Sequence, residues 1–191
     1  MTRQHLSLFF ILLFLFSFQN LDAQNEYFND YNFTEADTLR GMLRPERTCY
    51  DVTFYDLNLK FDFEKKAIKG WNEIYFRANT DFERLQIDLF DNMTITEILF
   101  NGKKLNFERK HHAVFVDFPK IKKDAIGSFR VHYEGVPIQA NNPPWDGGFV
   151  WREDPEGNHW VAVACEGIGA SLWWPNKDHL SDEPDLSLIH I

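Results

Sequence analysis

The sequence predicts an all-β protein, an antiparallel β-sandwich, and three observations lead there. From Tyr50 onward apolar residues recur at every second position, the period of a half-buried strand. Short runs of this kind return up to residue 164, separated by turn residues, with few helical stretches between them. One separator is Asn101-Gly102, the strongest short hairpin signal, because a type I′ turn requires positive φ at both positions.

The strands follow in order. Tyr55, Leu57, Leu59, Phe61 and Phe63 alternate with Asp56, Asn58, Lys60 and Asp62, placing one face on a core and the other in water. Glu64-Lys65-Lys66 is a polar connection, and Ile68 to Arg77 reads as the returning strand of a hairpin. Leu85, Ile87 and Leu89 alternate with Gln86 and Asp88 in a third strand. Thr94 to Phe100 runs into the Asn101-Gly102 turn, and Leu105 and Phe107 continue beyond it. Ala113 to Phe118 and Ser128 to Tyr133 come next. The last pair is Phe149 to Arg152 and His159 to Ala164, joined by the turn-rich Glu153 to Gly157.

The segments outside the strands differ in kind. Residues 1–23 read as a secretory signal: Arg3 lies in a short start, Leu6 to Phe18 is almost wholly apolar, and Ala23 offers a small-residue cleavage point. The apolar run is too short for a membrane span, which needs about 20 residues. Export to a periplasmic, cell-surface or extracellular location is therefore expected. Residues 24–48 are polar, are broken by Gly41 and Pro45, and show neither period; they read as an irregular tether whose aromatics dock on the domain surface. Residues 49–185 form the predicted β-domain. The last six, LSLIHI, are abruptly apolar, resemble translated sequencing-adapter read-through, and read as a non-native or truncated tail.

Composition narrows the function. A formal net charge of −9 argues against nucleic acid, since phosphate binding needs clustered Lys and Arg. The one basic patch, Arg109-Lys110-His111-His112, is short and reads as a solvated strand end. Two cysteines, Cys49 and Cys165, make no disulfide framework; they form one bridge or stay as two thiols. Among the histidines no pair has the HExxH spacing that sets two imidazoles on one metal, and there is no G-x-S-x-G elbow, P-loop or CxxC. His111 and His112 are adjacent in a strand-like run, so they face opposite ways and share no metal. His179 with Asp178, Asp182 and Glu183 offers nitrogen and oxygen ligands on a loop, a set whose ordinary reading is a solvated acidic loop. Trp145, Trp151, Trp160, Trp173 and Trp174 crowd the last quarter of the chain, as a pocket lining or as a core cluster.

Three segments carry a resemblance. V-A-C-E-G-I-G-A-S-L-W-W-P-N-K-D-H-L-S-D-E-P-D (Val163 to Asp185) resembles the end of the N-terminal domain in the aminopeptidase N and leukotriene hydrolase family of zinc peptidases, the gluzincins. Leu43 to Asp62 is similar to that family's entry strand, and P-P-W-D-G-G-F-V-W (Pro143 to Trp151) to a stretch of its secreted bacterial members. The resemblance implies a saddle-like N-terminal β-domain set over a thermolysin-like catalytic domain. It implies that this domain lends one Gln or Glu to bind the free α-amine of a peptide substrate. Cys165-Glu166 matches the C-E pair of the motif, which assigns that role to Glu166, whereas Ala164 stands where the family often has Gln. Zinc, a G-x-M-E-N loop and HExxH belong to the catalytic domain in cis, and none of these motifs lies within residues 1–191. The fragment itself is thus expected to hold no metal, to have no catalytic residue and to cleave nothing.

The physical logic fits. An exopeptidase must tell a charged amino terminus from an internal amide, and a fixed carboxylate does so through a charge-assisted hydrogen bond. A second expectation, from a different class, is a stand-alone exported binding module with Trp145, Trp151, Trp173 and Trp174 stacking on carbohydrate.

Overall fold

A computed structural model describes residues 32–191. The expected signal, residues 1–23, lies outside the described residues, as do Tyr27, Phe28 and Tyr31 of the tether. Residues 35–191 cluster as one unit. Two short helices open it, α1 (Glu35–Gly41) and α2 (Pro45–Thr48), followed by the strands β1 (Tyr50–Asp62), β2 (Ala67–Ala78), β3 (Phe82–Asp88), β4 (Met93–Phe100), β5 (Lys103–Lys104), β6 (Phe107–Lys110), β7 (Ala113–Ile121), β8 (Ile126–Gly135), β9 (Gly148–Glu153), β10 (His159–Ala164) and β11 (Leu186–His190).

The sandwich is as the alternation implies. One sheet has the order β11-β1-β2-β8-β4-β5, a second has β3-β7-β6, and β9 and β10 pair separately. Every pairing is antiparallel except β1 with β11, which is parallel. Tyr55, Leu57 and Leu59 of β1, Ile74 and Phe76 of β2 and Leu85 and Ile87 of β3 meet in one core with Val114 and Val116 of β7 and Phe129 and Val131 of β8. Fully burying a side chain of this size contributes about 1.5–3 kcal/mol relative to leaving it exposed. The Asn101-Gly102 turn has φ of 50° and 72°, the positive pair that a type I′ hairpin requires.

The structure departs from the sequence reading in several places. The stretch expected to be irregular supplies α1 and α2. Glu35 and Asp37 in the first turn of α1 and Arg40 in its last suit the helix dipole. The helix buries the single residue Leu39, too few apolar positions to register as a period. Residues 186–190 lie along the open edge of β1 as β11, with all five exposed. His111 and His112 sit in the hairpin turn between β6 and β7 rather than in a strand, with His111 at φ 53°. The His112 ring stacks on Phe90 at 4.0 Å, and its Nδ1 accepts the Asp91 N–H at 3.2 Å. Among the described residues no helix is long and apolar enough to cross a membrane.

Candidate functional site

Glu166 lies in the turn that leaves β10, and its carboxylate is exposed with no hydrogen-bond or ion-pair partner among the described residues. The turn is closed locally: the Cys165 carbonyl accepts N–H groups from Ile168 at 3.3 Å and Gly169 at 2.8 Å. Two glycines let other segments close on it. A Cβ on Gly147 would stand 1.9 Å from Cγ2 of Ile168, so the 141–147 loop rests directly on the Ile168 side chain. Gly169 has φ 87°, and a Cβ there would meet the Asp178 carboxylate at 2.1 Å.

Beside the turn, α1 and residues 177–180 enclose a cleft of about 650 Å³ lined by Asp37, Arg40, Cys165, Gly169, Asp178 and His179. The Arg40 guanidinium donates to the Ile168 carbonyl and lies 5.9 Å from the Phe90 ring centroid. His179 hydrogen-bonds through Nε2 with the Gly41 carbonyl at 3.2 Å and through Nδ1 with Ser181 at 2.8 Å. The two cysteines are free thiols. Burial raises both, Cys49 to about 11.

A buried polar network holds residues 171–182 against the sandwich. Asp88, on the β3 face expected to meet water, is buried with Gln86 beneath α1 and α2. Arg47 of α2, wholly buried, donates to Asp88 Oδ1 at 2.7 Å and to the Leu39 carbonyl at 2.9 Å. Gln86 Nε2 donates to the same two acceptors, and the Asp178 N–H reaches Asp88 Oδ2 at 3.1 Å. Burial pushes the Asp88 carboxyl up to about 6 against the downward pull of Arg47. Asp88 and Asn176 exchange both backbone hydrogen bonds, adding the loop to the β3 edge. Further along, Lys177 is buried in an ion pair with Asp182, and its Nζ donates to the Tyr50 carbonyl at 2.6 Å.

This network accounts for the acidic loop. Asp178 accepts the Ser171 hydroxyl at 2.6 Å, Asp182 pairs with Lys177, and His179 turns to Gly41, so these groups do not converge on a point. Among the described residues no three His, Cys, Asp or Glu side chains come together to hold a metal. The tryptophans divide. Trp173 is buried, and Trp151 and Trp174 pack against the core, in a run of rings from His159 through Phe63, Trp151, Phe149, Trp173 and Trp174 to Tyr55. Of the four rings named for a carbohydrate platform only Trp145 is exposed, at 83%, because the other three serve as core.

No protein-family model matches the chain, and no curated protein matches its sequence. Solved structures do match. An M1 zinc metallopeptidase from Deinococcus radiodurans aligns with a TM-score of 0.57 at 22% identity, over 74% of this chain and 31% of its own. A two-domain M1 zinc metallopeptidase mutant bound to L-tryptophan gives 0.58 at 22%, over 74% and 32%. Native leukotriene A4 hydrolase from Saccharomyces cerevisiae gives 0.56 at 19%, over 83% and 27%. The chain spans about a third or less of the length of these structures, in their N-terminal part, and has the fold of that part.

Proposed function

We propose that this chain is the N-terminal β-domain of an exported zinc aminopeptidase, and that Glu166 binds the α-amine of the peptide substrate. The observation that carries the reading is the placement of Glu166. On a fold shared with the N-terminal part of M1 metallopeptidases, it is an exposed carboxylate with no hydrogen-bond or ion-pair partner among the described residues, on a turn braced from three sides. A carboxylate committed to an internal ion pair would have to break it to receive an ammonium group; this one has nothing to break.

The division of labour follows from the chemistry. The β-domain fixes the amino terminus and so sets which peptide bond reaches the reacting centre. A zinc ion held by the catalytic domain would supply the polarisation of that carbonyl and the activation of water. None of the residues described here would ligate it; their part is to bind and orient the substrate and to wall the cavity. The compact packing of Trp151, Trp173 and Trp174 weighs against the carbohydrate module.

The gene itself tests the assignment. Beyond the codon for Asp185 the reading frame is expected to continue into G-x-M-E-N and HExxH. A frame that lacks both would remove the catalytic partner and with it the aminopeptidase reading.

A further inference from the structure

We infer that Arg40 is a positioning residue for Glu166, holding the 165–169 turn from α1 across 128 positions of sequence; this rests on the reading of Glu166 as the amine anchor. The turn has its own two hydrogen bonds onto the Cys165 carbonyl, which shape the loop but do not fix where it sits on the domain. Its placement comes from elsewhere. The Ile168 side chain is wedged against Gly147, and Gly169 lies against Asp178, itself tied to the buried Asp88. Both contacts act on the residues after Glu166. Arg40 adds a hold from α1, on the carbonyl two residues beyond Glu166.

The geometry of α1 makes this hold directional. Its one buried residue, Leu39, sits under the Arg47 and Gln86 hydrogen bonds to the Leu39 carbonyl, so the helix is fastened one residue before Arg40. On the other side Gly41 is fastened by His179. Arg40 therefore projects from a backbone fixed at both neighbours, and the Phe90 ring beneath its guanidinium narrows the directions open to it. A planar, always-charged group in this setting orients a carbonyl in a way a flexible ammonium does not.

Two measurements test the inference and keep it apart from the anchor reading. In the 191-residue chain, Arg40→Ala is expected to speed amide exchange at Ile168 and Gly169 roughly tenfold, the effect of losing one charged hydrogen bond. Arg40→Lys should restore part of the protection, and unchanged exchange in Arg40→Ala would overturn the inference. In the full-length enzyme, Arg40→Ala is expected to lower kcat/KM for free-amine peptides roughly tenfold through KM, with zinc content and Tm unmoved. In a Glu166→Ala background the same change should cost nothing more, because the two side chains act as one unit. Equal losses in both backgrounds would overturn the coupling. A silent Glu166→Ala would remove the anchor and the positioning role together, while the exchange rates would still decide whether Arg40 holds the turn.

Discussion

Full-length enzyme carrying Glu166→Ala is expected to lose about 2–4 kcal/mol of transition-state binding, roughly thirtyfold to a thousandfold in kcat/KM, on peptides with a free amino terminus. The zinc content and Tm should stay put, since the side chain is exposed and makes no hydrogen bond or ion pair among the described residues. Glu166→Gln keeps a hydrogen-bond acceptor but drops the charge, so it should fall between wild type and alanine. The loss should vanish on an N-acetylated analogue, which offers no ammonium group to bind. Unaltered kinetics in Glu166→Ala would show that the amine is held elsewhere.

The second large effect is on stability. Arg47→Met leaves Asp88 buried without its cation, a change that costs about 3–5 kcal/mol. For a unit of this size that is a Tm lower by roughly 6–20 °C. The sign of its pH dependence follows from Asp88. The folded-state value of about 6 lies above that of an unfolded aspartate, so the folded chain takes up the proton first. The contribution of Asp88 is therefore fully present below the unfolded value and is lost as pH rises through about 6. Removing Arg47 removes the downward pull and widens that window, so the Tm deficit of Arg47→Met should shrink between pH 7 and pH 5. A deficit that grows on acidification would mean the carboxylate is not the source of the instability. Arg47→Met with Asp88→Asn should recover part of the loss, because the amide carbonyl still accepts from Gln86 without the stranded charge.

What the sequence revealed and what it hid divide along the range of the interactions. The β1 alternation and the Asn101-Gly102 turn are local patterns, and they came through with nearly the right limits. Gln86 and Asp88 misled because polar residues between apolar ones look solvated. They are instead covered by α1 and α2, elements that no period announces. Arg47 and Asp88 lie 41 positions apart, and Lys177 is 127 positions from the Tyr50 carbonyl, so nothing in either neighbourhood marks them as partners. Trp173 and Trp174 look the same in sequence whether they line a pocket or fill a core, and here the neighbouring rings decide for the core. The C-E pair singled out Glu166 by resemblance alone, whereas the cleft beside its turn draws Asp37, Arg40 and Gly41 from the stretch that seemed least structured.

The most direct measurement is hydrolysis by the native full-length protein of a peptide with a free amino terminus, set against its N-acetylated twin, before and after zinc is stripped with a chelator. Release of the first residue from the free peptide alone, abolished by chelation and restored by added zinc, is the expected result. Equal cleavage of both peptides, or activity untouched by chelation, would contradict a zinc aminopeptidase whose β-domain reads the substrate amine.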